Sequence, residues 1–231
     1  MTEPSSGVTP TVAQRLRQVP LFDQLGDAEL DRIWHAAREK SYPKNSVILF
    51  EDDLGDALYV VLGGQVKVVL VGEDGREVIL SILGEGNFFG EMALIDDQPR
   101  SAHVIATQDS KLLVLRRDDF HQCLEASPRI ALGLLRAMSR RLRQADDKIG
   151  GLVLLDVNGR VARLLLELAD DHDGRIIPRK VTHHTIAQMI GSSRETVSRT
   201  MRDFSDQGLI EVSRQSIAIA DRSRLEELSG L

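Results

Sequence analysis

The fold of this chain is decided by the stretch THHTIAQMIGSSRETVSR at positions 182–199. Thr182 and Ser193 carry side-chain oxygens that favour helix starts, so the stretch predicts one helix ending at Ile190 and another beginning after Ser193. Gly191 lies between them, and glycine suits such a turn because it adopts left-handed backbone angles without steric cost. The stretch therefore predicts two short helices joined by a tight turn.

The side chains of these helices separate into an inward and an outward face. The inward ones are apolar, with the smallest placed where the helices cross: Ile186, Ala187, Ile190 and Val197. The second helix presents Arg194, Glu195 and Arg199 outward. Arginine donates two hydrogen bonds to guanine O6 and N7, and glutamate accepts one from cytosine N4. The pattern predicts a helix–turn–helix that reads DNA bases, with an ordinary helical hairpin of solvated charges as the alternative.

Other polar residues of this region are suited to phosphate contacts, which position a protein on DNA without specifying sequence. They are Ser192, Thr196, Ser198 and Arg202. His183 and His184 would be two metal ligands, but no convergent partner accompanies them, so we expect surface residues of the capping turn and no metal site. An amphipathic helix at Gly159–Ala169 is predicted before the segment. A small hairpin, the wing, is predicted after it from Ile210–Val212 and Ile217–Ile219.

The charge distribution bears on DNA binding. A net charge of −6 argues against it, because a phosphate backbone attracts basic surfaces. Between residues 175 and 203, however, six basic residues stand against two acidic ones, a balance of +4. The basic residues are Arg175, Arg179, Lys180, Arg194, Arg199 and Arg202. DNA binding is therefore expected in this part of the chain.

The first half of the chain predicts an antiparallel β-barrel or roll, because short β-type runs alternate with glycine-containing turns. The predicted strands are Ser46–Phe50, Ala57–Leu62, Gln65–Val71, Glu77–Leu83, His103–Thr107 and Lys111–Leu115. The predicted turns lie at 63–64, 73–75 and 84–86, where glycine reaches positive φ without strain. The helical patterns that flank the strands are Val12–Gln18, Asp27–Ala37 and Asp118–Glu125.

An uninterrupted helical stretch runs from about Arg129 to Leu155. Apolar residues recur in it at alternating spacings of three and four, the heptad pattern of a coiled-coil seam. These residues are Leu135, Met138, Leu142, Ala145, Ile149 and Leu152. A rod of roughly 40 Å is too long for a small domain to cover with its own core. We expect a parallel homodimer through this seam, with packing inside its own chain as the alternative.

The densest chemical pattern of the first half is GNFFGEMAL at 86–94, followed by PRSA at 99–102. A cyclic phosphodiester carries one negative charge, so its site needs N–H donors, a cation and a partner for the ribose hydroxyl. Arg100 would pair with the phosphate oxygens, Ser101 would donate its hydroxyl, and Glu91 would accept from the 2′-OH. The backbone amides that follow the second glycine would open a short helix toward the phosphate. The residues of this expected site are Gly90, Glu91, Met92, Ala93, Arg100 and Ser101.

At these positions the sequence resembles the phosphate-binding cassette of cyclic-nucleotide-binding domains, and Ser193–Val197 with Arg199 resembles the recognition helix of the Crp-Fnr family of bacterial transcription regulators. The resemblance extends from about residue 20 to residue 221. It implies that the cassette residues hold the sugar-phosphate, assisted by the amide of Ala102. It also implies that a TGTGA-like half-site, presented twice as a palindrome by a dimer, is read by Arg194, Glu195 and Arg199, with RNA polymerase as a further partner.

The expected fold class is accordingly α+β. We expect a cyclic-nucleotide-binding, jelly-roll-like β-roll with flanking helices at 1–128, a dimerisation helix and hinge at 129–156, and a winged helix–turn–helix DNA-binding domain at 157–231. Ligand binding in the roll would shift the population toward a DNA-competent arrangement of the C-terminal domains.

The sequence departs from the family at the base contact. In cAMP-binding members, hydroxyl side chains on the long helix touch the adenine, and the matching positions here are Ala145 and Asp146. Asp146 could accept a hydrogen bond from the adenine N6 amino group, but its carboxylate would pair better with the N1–H and N2–H donors of guanine. The alternative is that Asp146 is solvated on the helix exterior. We expect cAMP as the allosteric ligand, with cGMP, cyclic di-GMP and ligand-independent action as alternatives.

Composition excludes several other classes. Cys123 is the chain's single cysteine, so an intrachain disulfide, an iron–sulfur cluster and a structural zinc site are excluded, while a haem-type relative stays an alternative. An enzyme would need an acid/base pair beside the phosphate, whereas the cassette offers one acid, Glu91, so neither catalysis nor a prosthetic group is expected. The chain lacks a long apolar run and a signal-peptide pattern, so a cytoplasmic protein without a membrane partner is expected.

Overall fold

The structure of the protein is a computed structural model that describes residues 12–170, 174–178, 181–213 and 216–230. Its helices are α1 (Val12–Arg17), α2 (Asp27–Ala36), α3 (Met92–Ile95), α4 (Arg117–Ala126), α5 (Pro128–Leu154), α6 (Val157–Asp170), α7 (His183–Ile190), α8 (Arg194–Asp206) and α9 (Arg222–Ser229). Its strands are β1 (Arg38–Tyr42), β2 (Val47–Leu49), β3 (Ala57–Gly63), β4 (Val66–Val71), β5 (Glu77–Leu83), β6 (Phe88–Phe89), β7 (His103–Ala106), β8 (Ser110–Arg116), β9 (Ile176–Pro178), β10 (Ile210–Val212) and β11 (Ser216–Ile219). The architecture is α+β, as the sequence predicts.

The described residues divide into two units. One contains residues 12–70 and 80–141, and the other contains residues 71–79 and 142–230. The first half of the chain forms two four-stranded sheets, with the strand orders β1-β8-β3-β6 and β2-β7-β4-β5. Strand β3 pairs antiparallel with both β8 and β6. These pairings confirm the predicted antiparallel β-architecture of the first half.

Strand β3 shows why the first sheet is apolar on both faces. Leu58 and Val60 lie in a buried cluster with side chains from α1, α2, α4 and α5. Tyr59 and Val61 lie in a second cluster with residues of β2, β6 and β7. Because alternate residues of a strand point to opposite faces, the sheet packs helices on one side and the other sheet on the other side. Because both faces are buried, the sequence of β3 is a continuous run of apolar residues.

The second unit packs α6, α7, α8 and α9 around one core with a three-stranded sheet of order β10-β11-β9. The predicted inward residues of the helix–turn–helix are all buried: Ile186, Ala187, Ile190 and Val197. The predicted hairpin is confirmed, but the wing has a third strand that the sequence analysis missed, because Ile176–Pro178 pairs with β11. Arg179 and Lys180, two members of the basic cluster, lie outside the described residues.

The predicted strands and helices are confirmed with small shifts at their ends. The long helix begins at Pro128, one residue before the predicted start. Proline suits a first helical position because the N–H that it lacks has no intrahelical partner there. Strands β1 and β6 and helix α9 were not predicted. Among the described residues, none of the helices combines the length and the apolar character that a membrane crossing requires.

Candidate functional site

Arg100 is the centre of the candidate ligand site in the first unit. The side chain is buried, with the residue 5% exposed, and its guanidinium donates to the carbonyl oxygens of Gly90 at 2.5 Å and Ala57 at 2.8 Å. The guanidinium carbon also lies 6.0 Å from the centre of the Tyr59 ring. Burial lowers the pKa of Arg100, and the nearby carboxylates of Asp56 and Glu91 oppose that shift. Since a guanidinium has five N–H donors, Arg100 retains donors for an anion.

Glycine permits the close approach of the chain to this guanidinium. Gly90 has a φ of +82°, and a Cβ placed there would lie 2.8 Å from Nη1 of Arg100 and 3.0 Å from the carbonyl oxygen of Ala57. Gly55, which the sequence analysis missed, is packed more tightly. Its Cβ would lie 2.4 Å from the Cβ of Ala93 and 2.9 Å from Cζ of Arg100. The loop before β3 therefore packs closely against α3 and the guanidinium of Arg100.

Glu91 supplies a buried carboxylate. It is 1% exposed, and its Oε1 accepts a hydrogen bond from Nη1 of Arg141 at 2.6 Å. Its Oε2 is buried and has no hydrogen-bond partner among the described residues. Burial raises the pKa of Glu91, while the charge of Arg141 acts in the opposite direction. A buried oxygen without a donor is costly, so Oε2 is suited to accept from a ligand hydroxyl.

Arg141 of α5 was not predicted as a site residue. Besides Glu91, it donates to the carbonyl oxygen of Phe88, and its guanidinium carbon lies 4.7 Å from the centre of the Phe88 ring. A weak signal does exist in the sequence. Arg141 continues the spacing of Ile130, Leu134 and Ala137, the buried residues with which α5 packs on the first unit. This spacing could have predicted that Arg141 lies on the same face of α5 as these buried residues and faces the cassette.

The other cassette residues lie around these charged groups. Ala93 and Ala102 are buried, and Met92 and Ser101 are exposed. The hydroxyl of Ser101 lies 3.8 Å from the sulfur of Met92. The structure thus places all the predicted cassette residues on α3 and on the two segments that flank it.

Together these groups can bind a small anion that carries a hydroxyl. A buried cation retains free donors, a buried carboxylate retains a free acceptor, and the exposed hydroxyl of Ser101 lies beside Arg100 in the sequence. This set matches a sugar joined to a phosphodiester. Across residues 12–170, 174–178, 181–213 and 216–230, no cluster of three or more His, Cys, Asp or Glu is placed to hold a metal ion.

The predicted seam residues lie along α5. Leu135 and Leu142 are each 64% exposed, Ile149 is 60% exposed and Leu152 is 53% exposed. Met138 differs, because it is half-buried and packs against the core of the first unit. Ala145 and Asp146 are exposed on the part of α5 that belongs to the second unit. Apart from Met138, the proposed seam residues are therefore exposed among the residues that the structure describes.

The second unit holds the candidate nucleic-acid interface. The hydroxyl of Thr182 accepts from the backbone N–H of Thr185 at 3.1 Å and caps α7, and Ser193 caps α8 through the N–H of Thr196 at the same distance. Gly191 makes the turn with a φ of 64°. The predicted caps and turn are confirmed.

Recognition-helix side chains line one shallow surface pocket: Arg194, Glu195, Ser198, Arg199 and Arg202. The remaining predicted contacts, Ser192 and Thr196, are half-buried beside it. A further positioning contact was missed by the sequence analysis. Thr200 is 3% exposed, and its hydroxyl donates to Oδ1 of Asn158 at 2.8 Å, which joins α8 to α6. Three arginines on one face create the local positive surface that DNA binding requires.

Both halves of the chain match known families. Residues 39–127 match the cyclic nucleotide-binding domain, and residues 159–228 match the Crp-like helix-turn-helix domain. The chain is 34% identical over 210 residues to the cyclic AMP receptor protein of Thermus thermophilus, which covers 91% of this chain and 96% of that protein. It is 36% identical over 183 residues to the cAMP-activated global transcriptional regulator CRP of Salmonella typhimurium, which covers 77% of this chain and 87% of that one. A solved Crp/Fnr-family regulator from T. thermophilus has a TM-score of 0.68 at 29% identity and covers 84% of this chain and 99% of its own.

The fold and its two sites define a transcription regulator that combines a cyclic-nucleotide-binding domain with a helix–turn–helix DNA-binding domain. The chain belongs to the Crp-Fnr family. The relatives that it matches are transcription regulators, and the protein is a regulator rather than an enzyme.

Proposed function

We propose that this protein is a homodimeric transcription regulator whose affinity for a palindromic, TGTGA-like DNA site is controlled by cAMP. The observation that carries the proposal is that Arg100 and Glu91 are both buried in the cassette and each keeps hydrogen-bonding capacity for a ligand. The first retains N–H donors for a cyclic phosphate, and the second retains the free acceptor Oε2 for a ribose 2′-OH. The relatives named as cAMP-responsive regulators support cAMP as the nucleotide.

The proposal also concerns which base the bound nucleotide carries. Asp146 is exposed on α5, and its contact with the base is part of what we propose. Its carboxylate would accept one hydrogen bond from adenine N6 but two from guanine N1 and N2. The chemistry of Asp146 therefore supports cGMP as the alternative ligand. Cyclic di-GMP and ligand-independent action are the remaining alternatives.

The dimer follows from the seam on α5. Large aliphatic side chains repeat along it and are more than half exposed, including Leu135, Leu142 and Ile149. An apolar stripe with heptad spacing is buried efficiently by a second copy of the same helix. Replacing Leu142 with Glu should give monomers by analytical ultracentrifugation, whereas the neighbouring exposed Gln144→Glu, outside the seam, should leave dimers. Dimers that persist in the Leu142→Glu variant would contradict the seam.

In the recognition helix, Arg194, Glu195 and Arg199 are assigned to base edges, and Ser192, Thr196, Ser198 and Arg202 to phosphates. A dimer would present two such helices to the two half-sites of a palindrome. A DNA-bound regulator of this kind would act on RNA polymerase. The pocket lined by the outward side chains of α8 supports this assignment.

Calorimetric titration tests the ligand site. Wild type is titrated with cAMP, cGMP and cyclic di-GMP, and the titrations are repeated on Arg100→Ala and on Arg38→Ala, an exposed arginine of the same unit. Arg100→Ala should weaken binding of a cyclic nucleotide at least about tenfold, because a charge-assisted contact is lost. Arg38→Ala should bind as wild type does. Equal binding by wild type and Arg100→Ala would refute the pocket.

A DNA-binding titration tests the coupling. Fluorescence anisotropy with a labelled TGTGA palindrome is measured with and without saturating cAMP. We expect tighter DNA binding with cAMP in wild type and no response in Arg100→Ala. An unchanged DNA affinity of wild type at saturating ligand would defeat the allosteric part of the proposal.

A further inference from the structure

Helix α3 carries the cassette and is only four residues long, so most of its carbonyl groups cannot be satisfied within it. The carbonyl oxygen of Met92 accepts from the N–H of Asp96. The next two carbonyls, those of Ala93 and Leu94, accept hydrogen bonds from side chains of α4 instead. The orientation of α3 therefore depends on a neighbouring helix.

Arg117 is the first of these side chains. Its Nη2 donates to the carbonyl oxygens of Ala93 and Gly55, both at 2.8 Å, and its Nη1 pairs with Oδ1 of Asp97 at 2.5 Å. One guanidinium thus joins α3, the turn that follows α3 and the loop before β3. The same loop is the one that approaches Arg100 through Gly55.

His121 is the second. It lies one helical turn after Arg117 on α4, so the two side chains share a face of that helix. Its Nε2 lies 3.1 Å from the carbonyl oxygen of Leu94. Because a carbonyl only accepts, Nε2 must carry a proton to make this bond. The ring of Phe120, which is fully buried, lies edge-on to the His121 ring at 6.1 Å.

We propose that Arg117 and His121 form a clamp that positions the cassette for the cyclic nucleotide by holding the Ala93 and Leu94 carbonyls. The clamp rests on the proposed ligand site and adds two positioning residues to it. Neither side chain is assigned a contact with the nucleotide. Their effect is to keep Glu91, the residue directly before α3, in the place where its free Oε2 meets a ligand hydroxyl.

The clamp should act on affinity because binding includes the cost of ordering the groups that make the contacts. With the clamp, α3 is already held in the binding arrangement. Without it, α3 samples other arrangements, and the apparent dissociation constant rises as the competent fraction falls. Losing the guanidinium donor of Arg117 should weaken binding roughly tenfold, and losing the single N–H donor of His121 should weaken it about threefold.

The test is calorimetric titration of cAMP and cGMP into full-length variants, with thermal unfolding of each variant measured in parallel. Arg117→Ala removes the charged donor, and Arg116→Ala is its matched control. Arg116 is adjacent and exposed, and its side chain pairs with none of the residues that the structure describes. His121→Ala removes the imidazole donor, whereas His121→Gln keeps an N–H that can donate to the Leu94 carbonyl.

We expect Arg117→Ala and His121→Ala to lose affinity and Arg116→Ala and His121→Gln to keep it. The comparison of His121→Ala with His121→Gln is decisive, because a residue that only stabilised the fold would lower the unfolding temperature without changing the affinity of folded protein. Wild-type affinity in both alanine variants would overturn the clamp. Failure of wild type itself to bind either nucleotide would instead overturn the proposed ligand. If Arg117→Ala does not fold, the two His121 variants still give the result.

Discussion

Gly55 allows a steric test of the ligand site in which no functional side chain is removed. A methyl group added by Gly55→Ala would lie 2.4 Å from the Cβ of Ala93 and 2.9 Å from Cζ of Arg100. Neither neighbour gives way easily. The Ala93 Cβ is fixed to the backbone of α3, and the Arg100 guanidinium is held by two carbonyl oxygens. Since Gly55 does not have a positive φ, alanine meets no backbone penalty there, and the whole effect is steric.

The size of the effect follows from the overlap. Forcing an extra methyl into a packed site costs about 1–3 kcal/mol. In Gly55→Ala the overlap forces α3 and the loop apart, although Arg117 holds the carbonyls of both, and ligand binding must then reverse that displacement. The affinity for the nucleotide should therefore fall by about 5- to 150-fold.

Calorimetric titration with the nucleotide that binds wild type more tightly, cAMP or cGMP, measures this loss. Gly84→Ala is the matched control, because a Cβ at Gly84 meets no atom within 4 Å and its φ is also not positive. The control should bind as wild type does. Wild-type affinity in Gly55→Ala, together with an unchanged unfolding temperature, would refute the argument that the loop before β3 packs against the site.

Three further predictions concern the second unit. Arg202→Ala should weaken binding to all DNA sequences alike and reduce the slope of log affinity against log salt by about one, whereas Arg199→Ala should change the preference at one base pair, as anisotropy titrations would show. Thr200→Val should destabilise the protein by about 0.5–1.5 kcal/mol in urea unfolding, because it removes the hydrogen bond from α8 to α6. A hydrogen bond from Arg222 lowers the pKa of Asp170, so the folded state binds this proton less tightly than the unfolded state does. The difference in stability between wild type and Asp170→Asn should therefore be fully present at neutral pH, and it should be lost progressively as the pH falls from about 4 through the lowered pKa of Asp170.

The helices other than α9 and the inner strands could be predicted because their determinants are local. Thr182, Gly191 and Ser193 occupy the cap and turn positions that their chemistry favours, and the structure has them there. Strand β3 is an apolar run bounded by a glycine, and both of its faces are buried. In these elements the local preference agrees with the tertiary environment, which is the condition under which a sequence pattern is informative.

Strand β1 could not be predicted for the opposite reason. Its sequence, REKSY at Arg38–Tyr42, has no alternation of apolar and polar residues, and four of its five residues are exposed. It is an edge strand, and its place is set by pairing with β8 from Arg38↔Val114 to Tyr42↔Ser110. The partner lies some seventy residues further along the chain, so the cause of the strand is non-local backbone pairing.

Arg117 and Arg141 show more clearly what could not be predicted from the sequence. Each follows directly after another arginine, and the two members of each pair have different environments. Arg116 and Arg140 are exposed, while their neighbours bind backbone carbonyls in the first unit. Every residue has a backbone carbonyl, so the sequence contains no particular residue, such as an acidic one, that would identify the partner of an arginine that binds a carbonyl. Arg141 could still be inferred from the buried face of its helix, but Arg117 has no such pattern. The cassette residues that would touch a ligand can therefore be recognised in the sequence from their chemistry. The residues proposed to orient the cassette can be identified only from the structure, which shows where the carbonyls of Gly55, Ala93 and Leu94 lie.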